Sequence, residues 1–190
     1  MNRREFLHTV RALTANGLVL SAMPWFDVFA APPAAASAAS DRVRLGFIGV
    51  GSRGRTLLLN VQSFQERLNV EIAAVCDTYP EHLERAVALT GGVAQGFNDY
   101  RRMLQDGPEL DGVVIATPLH EHAGMTCDAL DAGLHVFCEK AMARTLPDVR
   151  RMYDTSQRTG RILQIGHQRM FNPVYLESME RIRQGEAGAI

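Results

Sequence analysis

The feature that most constrains this fold is a set of three closely spaced glycines between two apolar segments. Residues Val43–Val50 read VRLGFIGV and have the length of a buried parallel strand. The run leads into Gly49–Gly54 (GVGSRG), a G-x-G-x-x-G pattern, and Arg55–Gln65 then carries apolar residues at helical spacing. A second apolar run, Val70–Cys76, ends at an aspartate. This order of strand, glycine turn, helix, strand and acid predicts a dinucleotide-binding β–α–β unit.

Each glycine of this loop has a physical role in holding a dinucleotide. Gly49 allows a tight turn, Gly51 lets the pyrophosphate approach the backbone, and Gly54 lets the helix pack closely on the strand. Ser52 lies within the glycine loop, and the free N–H groups and positive dipole end of the helix that follows favour phosphate. Arg53 is open to two interpretations, a contact to phosphate or adenine and a solvated loop residue.

Asp77 follows the second strand, 23 residues after Gly54. Its carboxylate suits both hydroxyls of a ribose and would repel a 2′-phosphate, so we expect NAD as the cofactor in preference to NADP. The alternative is a cap for the helix that starts at Pro80, and the two roles are compatible.

The rest of the chain continues to alternate between strands and helices. Periodicity and turn residues predict helices at Pro80–Thr90, Tyr100–Gln105, His122–Ala132, Leu146–Thr159 and Asn172–Gln184, and strands at Gln95–Phe97, Gly112–Ala116, Val136–Cys138 and Ile162–Ile165. This alternation predicts an α/β fold with a doubly wound parallel sheet of about six strands. Ligands of such sheets bind beyond the carboxyl ends of the strands, so residues that follow each strand are candidate site residues.

Four candidates follow the fourth strand. Thr117 offers a hydroxyl towards a ribose or the nicotinamide, and Pro118 fixes the loop. We expect His120 and His122 to contribute to the cofactor cleft. Helix capping and a metal pair are the alternatives, but two histidines without a third ligand are weak evidence for a metal, so no metal site is expected.

The residues after the fifth strand include Lys140, which is the only lysine beside 19 arginines. Arginine cannot release its proton at a workable pH, whereas a lysine can be tuned to do so. Lys140 is therefore the predicted catalytic and substrate-binding residue, with arginine-rich codon usage as the alternative. Glu139 holds a ribose, orients Lys140 or is a surface acid. After the sixth strand, Arg169 and Asn172 are candidates for substrate binding, and Asn172 suits a helix cap equally well.

Composition excludes several classes of protein. The chain carries 20 basic and 21 acidic residues, and this balance argues against a nucleic-acid partner. Its three cysteines, Cys76, Cys127 and Cys138, lack the spacing of a disulfide framework or a zinc site. We therefore expect a small-molecule partner.

The first forty residues have the pattern of an export signal. Arg3 and Arg4 precede Phe6 and Leu7, and the apolar run that follows is too short and too weakly apolar for a membrane span. Paired arginines in this context resemble the twin-arginine class, which predicts export to the periplasm. Cleavage is expected after Ala30 or Ala38, within an Ala/Pro-rich linker. An amphipathic N-terminal helix is the alternative.

Five motifs together resemble the Gfo/Idh/MocA oxidoreductases over residues 42–190. They are GVGSRG (Gly49–Gly54), VCD ending at Asp77, ATPLHEH (Ala116–His122), CEKAMA (Cys138–Ala143) and GHQRMFNP (Gly166–Pro173). The resemblance implies a Rossmann NAD(P)-binding domain over residues 41–185 and a second α/β domain that starts at residues 186–190 and is truncated here. It also implies a homo-oligomer when full length.

The activity that this resemblance implies is reversible oxidation of a sugar, inositol or similar polyol hydroxyl, with the lysine of the family's EKP motif at the reacting centre. Carried over, that lysine is Lys140, followed here by Ala141 where the family has proline. An NAD-dependent glycoside hydrolase of the same superfamily and a non-catalytic dinucleotide-binding module are the alternatives. The Glu139–Lys140 pair favours the dehydrogenase. A chain that ends at residue 190 is expected to bind cofactor but to be inactive alone.

Overall fold

Six strands and six helices make up the part of the chain that the computed structural model describes, residues 42–186 and residue 188. The export signal expected over residues 1–40 lies outside these residues. The strands are β1 Val43–Ile48, β2 Val70–Cys76, β3 Gln95–Phe97, β4 Gly112–Ile115, β5 His135–Glu139 and β6 Leu163–Gly166. The helices are α1 Ser52–Leu68, α2 Pro80–Leu89, α3 Tyr100–Asp106, α4 His122–Asp131, α5 Leu146–Thr159 and α6 Pro173–Arg183, with a 3₁₀ helix at Gln168–Phe171.

The strands form one parallel sheet in the order β3-β2-β1-β4-β5-β6. The chain runs outward from β1 to β3 on one side and then crosses back to place β4 on the other side of β1. Loops that follow β1 and β4 therefore diverge, and a crevice opens at the carboxyl edge of the sheet between them. The predicted α/β fold with a doubly wound parallel sheet is confirmed.

Each face of the sheet is covered by helices, so neighbouring residues of one strand enter different cores. Phe47 packs with Leu58 of α1 and Ala86 of α2 on one face. Ile48 packs on the other face with residues of α3, α4 and α5, such as Met152. Burial on both faces explains why the central strands read as continuous apolar runs. In the described part of the chain, no helix has the length and apolar character needed to cross a membrane.

The element ends differ most from the sequence prediction around the glycine loop. We expected a strand through Val50 and a helix from Arg55, whereas β1 ends at Ile48 and α1 begins at Ser52. The strand ends early because Gly49 has a φ of 82°, which turns the chain out of the sheet. The turn is therefore tighter, and the helix N-terminus lies closer to β1, than the apolar pattern indicates.

Candidate functional site

The loop between β1 and α1 packs against the end of β4 with no room for side chains on two of its glycines. A Cβ on Gly49 would lie 2.8 Å from Cγ2 of Thr117. A Cβ on Gly54 would overlap with the carbonyl oxygen of Gly49. Helix α1 therefore approaches β1 as closely as the backbone allows, which is the arrangement that the glycine spacing predicts.

The same loop presents backbone N–H groups to the open edge of the sheet. Gly51 caps α1 without a side-chain hydrogen bond, so the N–H groups of the first turn, from Ser52 onward, lack intrahelical acceptors. The nearest atoms to a Cβ on Gly51 belong to the His82 ring, at 3.3 Å. This cradle of free donors at the positive end of a helix fits the pyrophosphate of a dinucleotide.

Asp77 binds the glycine loop through its carboxylate. Its Oδ2 accepts the N–H of Val50 at 2.8 Å, and its Oδ1 accepts the N–H of Tyr79 at 2.9 Å. Nδ1 of His82 lies 3.5 Å from Oδ2. A carboxylate has about four acceptor positions, so two remain for ribose hydroxyls. The N-cap of α2 is Tyr79, and the bond from its N–H to Asp77 closes a turn before the helix, so it does not make Asp77 the cap. The ribose role stays a prediction.

Arg53 points across the carboxyl edge of β4 to Glu139 at the end of β5. Its Nε lies 2.7 Å and its Nη2 2.6 Å from Oε1 of Glu139, whose side chain is only 5% exposed. Glu139 is therefore not a surface acid, because a carboxylate at this depth requires a charged or hydrogen-bonding partner. Arg53 is committed to this ion pair and is not a solvated loop residue.

Lys140 extends from the turn after β5 into the cleft. Its backbone N–H donates to Oε2 of Glu139 at 3.1 Å, and the Lys140–Ala141 peptide bond is cis. Within residues 42–186 the Lys140 ammonium makes no hydrogen bond or ion pair. The structure therefore presents a single unpaired amine at the edge of the crevice.

His122 is buried, with 2% of its surface exposed, and it connects two loops. Its Nε2 lies 3.0 Å from the carbonyl oxygen of Thr117 and its Nδ1 2.9 Å from that of Ala141. Each ring nitrogen thus lies within hydrogen-bond distance of a backbone carbonyl oxygen, and the nitrogen that carries the proton donates to its carbonyl. The side chain joins the loop after β4 to the turn that carries Lys140, and any contribution to cofactor binding acts through that geometry.

The remaining candidates after β4 differ in their placement. Oγ1 of Thr117 is buried and has no hydrogen-bond partner in the described part of the chain, which marks it as a group awaiting a ligand. Pro118 and His120 are exposed, and Nε2 of His120 lies 3.3 Å from a carboxylate oxygen of Glu121. Among residues 42–186 no group of three or more metal-ligating side chains occurs.

A cleft of about 280 Å³ brings the central candidates together. Five predicted residues line it, namely Arg53, Thr117, His122, Glu139 and Lys140. Sequence reasoning missed Ala116, Leu119 and Gln168, which line it too. In the amide orientation that satisfies both groups, the Gln168 oxygen accepts from Nη2 of Arg53 at 2.8 Å. Its position two residues after β6 was the available signal.

The two substrate-binding candidates after β6 do not line this cleft. The guanidinium of Arg169 lies over the Tyr175 ring, 5.6 Å from its centroid. Oδ1 of Asn172 accepts the N–H of Val174 at 2.9 Å and caps α6. The capping interpretation of Asn172 thus has direct geometric support, and substrate contacts by either residue stay predictions.

The thiols beneath the site are chemically quiet. Burial, with a smaller contribution from Glu139, raises the pKa of Cys138 to about 12. Burial next to Asp77 raises the pKa of Cys76 likewise to about 12. Neither supplies a thiolate at neutral pH, so these thiols are not candidate nucleophiles.

Comparison with solved structures finds dehydrogenases of the same architecture. The WlbA dehydrogenase from Bordetella pertussis, in complex with NADH and UDP-GlcNAcA, is 31% identical, with a TM-score of 0.69 over 77% of this chain and 43% of that one. The scyllo-inositol dehydrogenase from Lactobacillus casei, with bound NAD(H) and scyllo-inositol, is 25% identical, with a TM-score of 0.71 over 78% and 43%.

Curated relatives align with the chain from end to end. A glycosyl hydrolase family 109 protein from Shewanella pealeana is 31% identical over 206 residues, which cover 100% of this chain and 44% of that protein. One from Stenotrophomonas maltophilia is 30% identical, with 100% and 40% covered. The chain thus spans less than half the length of the curated relatives it matches.

A family model places these observations in one group. The model described as an oxidoreductase family with an NAD-binding Rossmann fold matches residues 43–167, which include the glycine loop, Asp77 and the Glu139–Lys140 turn. NAD is confirmed as the cofactor, and the free donors at α1 and the unpartnered Thr117 hydroxyl fit it. The resemblance seen in the motifs is confirmed, and the chain belongs to the GFO_IDH_MocA oxidoreductase family.

Proposed function

We propose that the chain is the cofactor-binding part of an NAD-dependent oxidoreductase that acts on a hydroxyl of a sugar, inositol or similar polyol. Lys140 is the residue that exchanges the hydroxyl proton. The observation that carries the proposal is the unpaired Lys140 amine in a cleft that Arg53, from the first turn of α1, also lines. Hydride-transfer partners must meet at one point, and the contact of Arg53 with Glu139 brings the start of α1 next to the Lys140 turn.

In the oxidation, the substrate alcohol loses a hydride from carbon and a proton from oxygen. The C–H hydrogen leaves with both bonding electrons, and bound NAD⁺ supplies the acceptor for that hydride. The O–H proton leaves to a base, for which an uncharged Lys140 amine is suited because lysine, unlike arginine, can exchange its proton. Reduction runs the same transfers in reverse, with the Lys140 ammonium returning the proton to the carbonyl oxygen.

The rest of the site positions these groups. The first turn of α1 holds the pyrophosphate by its N–H groups, and Asp77 holds a ribose by the two acceptor positions that Val50 and Tyr79 leave free. The Thr117 hydroxyl, buried and without a protein partner in the described residues, is available to a ribose or the nicotinamide. His122 fixes the spacing between the loop after β4 and the Lys140 turn.

A second candidate is an NAD-dependent glycoside hydrolase. The observation that favours it is the match to curated relatives named glycosyl hydrolase family 109, which are 30–31% identical over the whole chain. In this chemistry a sugar carbon is oxidised transiently, the aglycone is eliminated, water adds to the resulting double bond and the hydride is returned, so NAD is not consumed. The same cleft would serve, with Lys140 again exchanging a proton.

One assay separates these candidates. The full-length protein is incubated with NAD⁺ and a panel of sugars, inositols and aryl glycosides, and both NADH and released aglycone are measured. A dehydrogenase forms one NADH for each substrate oxidised, whereas a hydrolase releases aglycone with NAD far below substrate. Lys140→Ala abolishes either activity. A protein that binds NADH but gives neither product, and is unaltered by Lys140→Ala, is a non-catalytic binding module.

We also propose export by the twin-arginine route. The proposal is supported by the Arg3–Arg4 pair ahead of a weakly apolar segment. The double variant Arg3→Lys/Arg4→Lys is expected to retain the protein in the cytoplasm, and cell fractionation measures this. Equal periplasmic amounts of variant and parent would contradict it. Homo-oligomerisation of the full-length protein stays a prediction that sedimentation can test.

A further inference from the structure

The Lys140 amine is unpaired even though a carboxylate precedes it in the sequence. Both oxygens of Glu139 are engaged elsewhere. Oε1 accepts from Nε and Nη2 of Arg53 at 2.7 and 2.6 Å, and Oε2 accepts the backbone N–H of Lys140 at 3.1 Å. The carboxylate therefore holds the lysine by its backbone while its charge is balanced by an arginine.

The arginine that balances the Glu139 charge, Arg53, comes from a different element of the fold. Arg53 lies in the first turn of α1, inside the glycine loop that binds the dinucleotide, and Glu139 is the last residue of β5. Because β4 lies between β1 and β5 in the sheet, the ion pair spans the mouth of the cleft. The arginine is about one-third exposed, whereas the carboxylate is 5% exposed and depends on it for compensation.

We propose that Arg53 is a positioning residue that acts on Lys140 through Glu139. By neutralising this buried carboxylate, it prevents an ion pair between Glu139 and the lysine ammonium and leaves the amine free to exchange a proton. The same bond ties the turn that bears Lys140 to the loop that receives the pyrophosphate. The functional consequence rests on the proposed function, because it assumes that Lys140 exchanges the proton of the substrate.

The proposal predicts opposite effects on the Lys140 ammonium when the charge of Arg53 and the charge of Glu139 are removed. The titratable groups that line the cleft with Lys140 are Arg53 from α1, His122 from α4 and Glu139 from β5. Without Arg53, an uncompensated carboxylate stabilises the ammonium, so a higher pH is needed to obtain the free amine. Without the Glu139 charge, an uncompensated guanidinium destabilises the ammonium, so the free amine forms at lower pH.

Amine labelling measures this without a substrate. Lys140 is the only lysine in the 190 residues, so mass spectrometry of its peptide after acetic anhydride treatment reports on one ε-amine. At a fixed pH of about 8, Arg53→Gln is expected to slow labelling about threefold or more, and Glu139→Gln to accelerate it by a similar factor. The double variant Arg53→Gln/Glu139→Gln is expected to return the rate to within about twofold of the parent.

Two further variants serve as controls for charge and for an unrelated arginine. Arg53→Lys preserves the charge and is expected to restore most of the parent rate, even though it loses one of the two contacts to Oε1. Arg150→Gln removes an exposed arginine that pairs with Asp154 on α5, and it is expected to leave labelling unchanged. Labelling is performed on the full-length protein, with NADH affinity and circular dichroism recorded for each variant.

The outcomes are distinguishable. Opposite shifts for the two single variants, cancelled in the double variant, support the proposal. Shifts in the same direction would indicate loosening of the turn and would overturn it, as would labelling insensitive to Arg53→Gln in a folded protein. If labelling behaves as expected but Lys140→Ala leaves turnover intact, the proposed function fails while the charge relationship stands.

Discussion

The Asp77 carboxylate accepts the backbone N–H of Val50 at 2.8 Å, so the residue after β2 holds the loop after β1 in place. A single acid thus shapes the glycine loop, and it is also the residue for which we propose a ribose contact. The bond gives the loop its geometry before any cofactor arrives, which reduces the ordering that binding requires.

Asp77→Ala is expected to lower NADH affinity by at least tenfold and to reduce the preference over NADPH. Hydrogen bonds from ribose hydroxyls to a charged acceptor contribute about 1.5–3 kcal/mol, and the repulsion of a 2′-phosphate disappears with the carboxylate. Fluorescence titration with both nucleotides measures the change. Asp106→Ala, which removes an exposed acid paired with Arg102, is the matched control. Equal affinity of the parent for NADH and NADPH would contradict this role of Asp77.

Gly54→Ala is expected to destabilise the fold by about 3 kcal/mol or more, because its Cβ would overlap with the Gly49 carbonyl oxygen and force α1 away from β1. Gly124→Ala is the matched control. It lies in α4 with no atom within 4 Å of its Cβ, so it should be neutral or stabilise by about 0.5–1 kcal/mol. Urea unfolding measures both, and similar midpoints for the two variants would disprove the close packing of the loop.

His122→Ala is expected to cost about 2–4 kcal/mol of unfolding free energy. The change empties a buried volume and leaves the carbonyl oxygens of Thr117 and Ala141 without their partner. His120→Ala, two residues earlier in the loop before α4 and 61% exposed, should stay within about 0.5 kcal/mol of the parent. If His122→Ala and His120→Ala lower the thermal unfolding temperature equally, the contacts of His122 do not stabilise the fold.

Stability is expected to fall as the pH rises from about 9 towards 12. The pKa values of the Cys76 and Cys138 thiols are raised to about 12 in the folded chain from an ordinary value of 9.0. Below pH 9 both states are protonated and the contribution is complete, whereas above it the unfolded chain loses these protons first and is favoured. Urea unfolding at several pH values, with Cys76→Ala/Cys138→Ala as comparison, measures the effect. A pH dependence as steep in the double variant as in the parent would exclude the thiols as its cause.

The elements of the fold are largely predictable from the sequence because local rules determine them. The bounds of β2, β3 and α5 agree with the expected ones. An apolar run marks β2, and Pro147 and Gly160 mark the two ends of α5. The end of β1 was predicted two residues too late, because apolar Val50 continues the pattern while the positive φ of Gly49 interrupts the strand.

The candidate site is predictable only in part. Residues that follow strands were expected at one edge, and Arg53, Thr117, His122, Glu139 and Lys140 do line one cleft. The partner of each side chain was not predictable, because Arg53 and Glu139 are 86 residues apart and only the sheet order brings them together. The sequence also does not reveal that His122 is buried between two loops, and this burial gives it a structural role.

The most direct test of the account is protection of Lys140 by the cofactor. NADH is titrated into the full-length protein, and acetylation of the Lys140 peptide is followed together with NADH fluorescence. If the nicotinamide end reaches the cleft, labelling slows severalfold with the same half-saturation as the fluorescence change. Labelling that continues at the free-protein rate while NADH is fully bound would contradict the placement of Lys140 beside the reacting end of the cofactor.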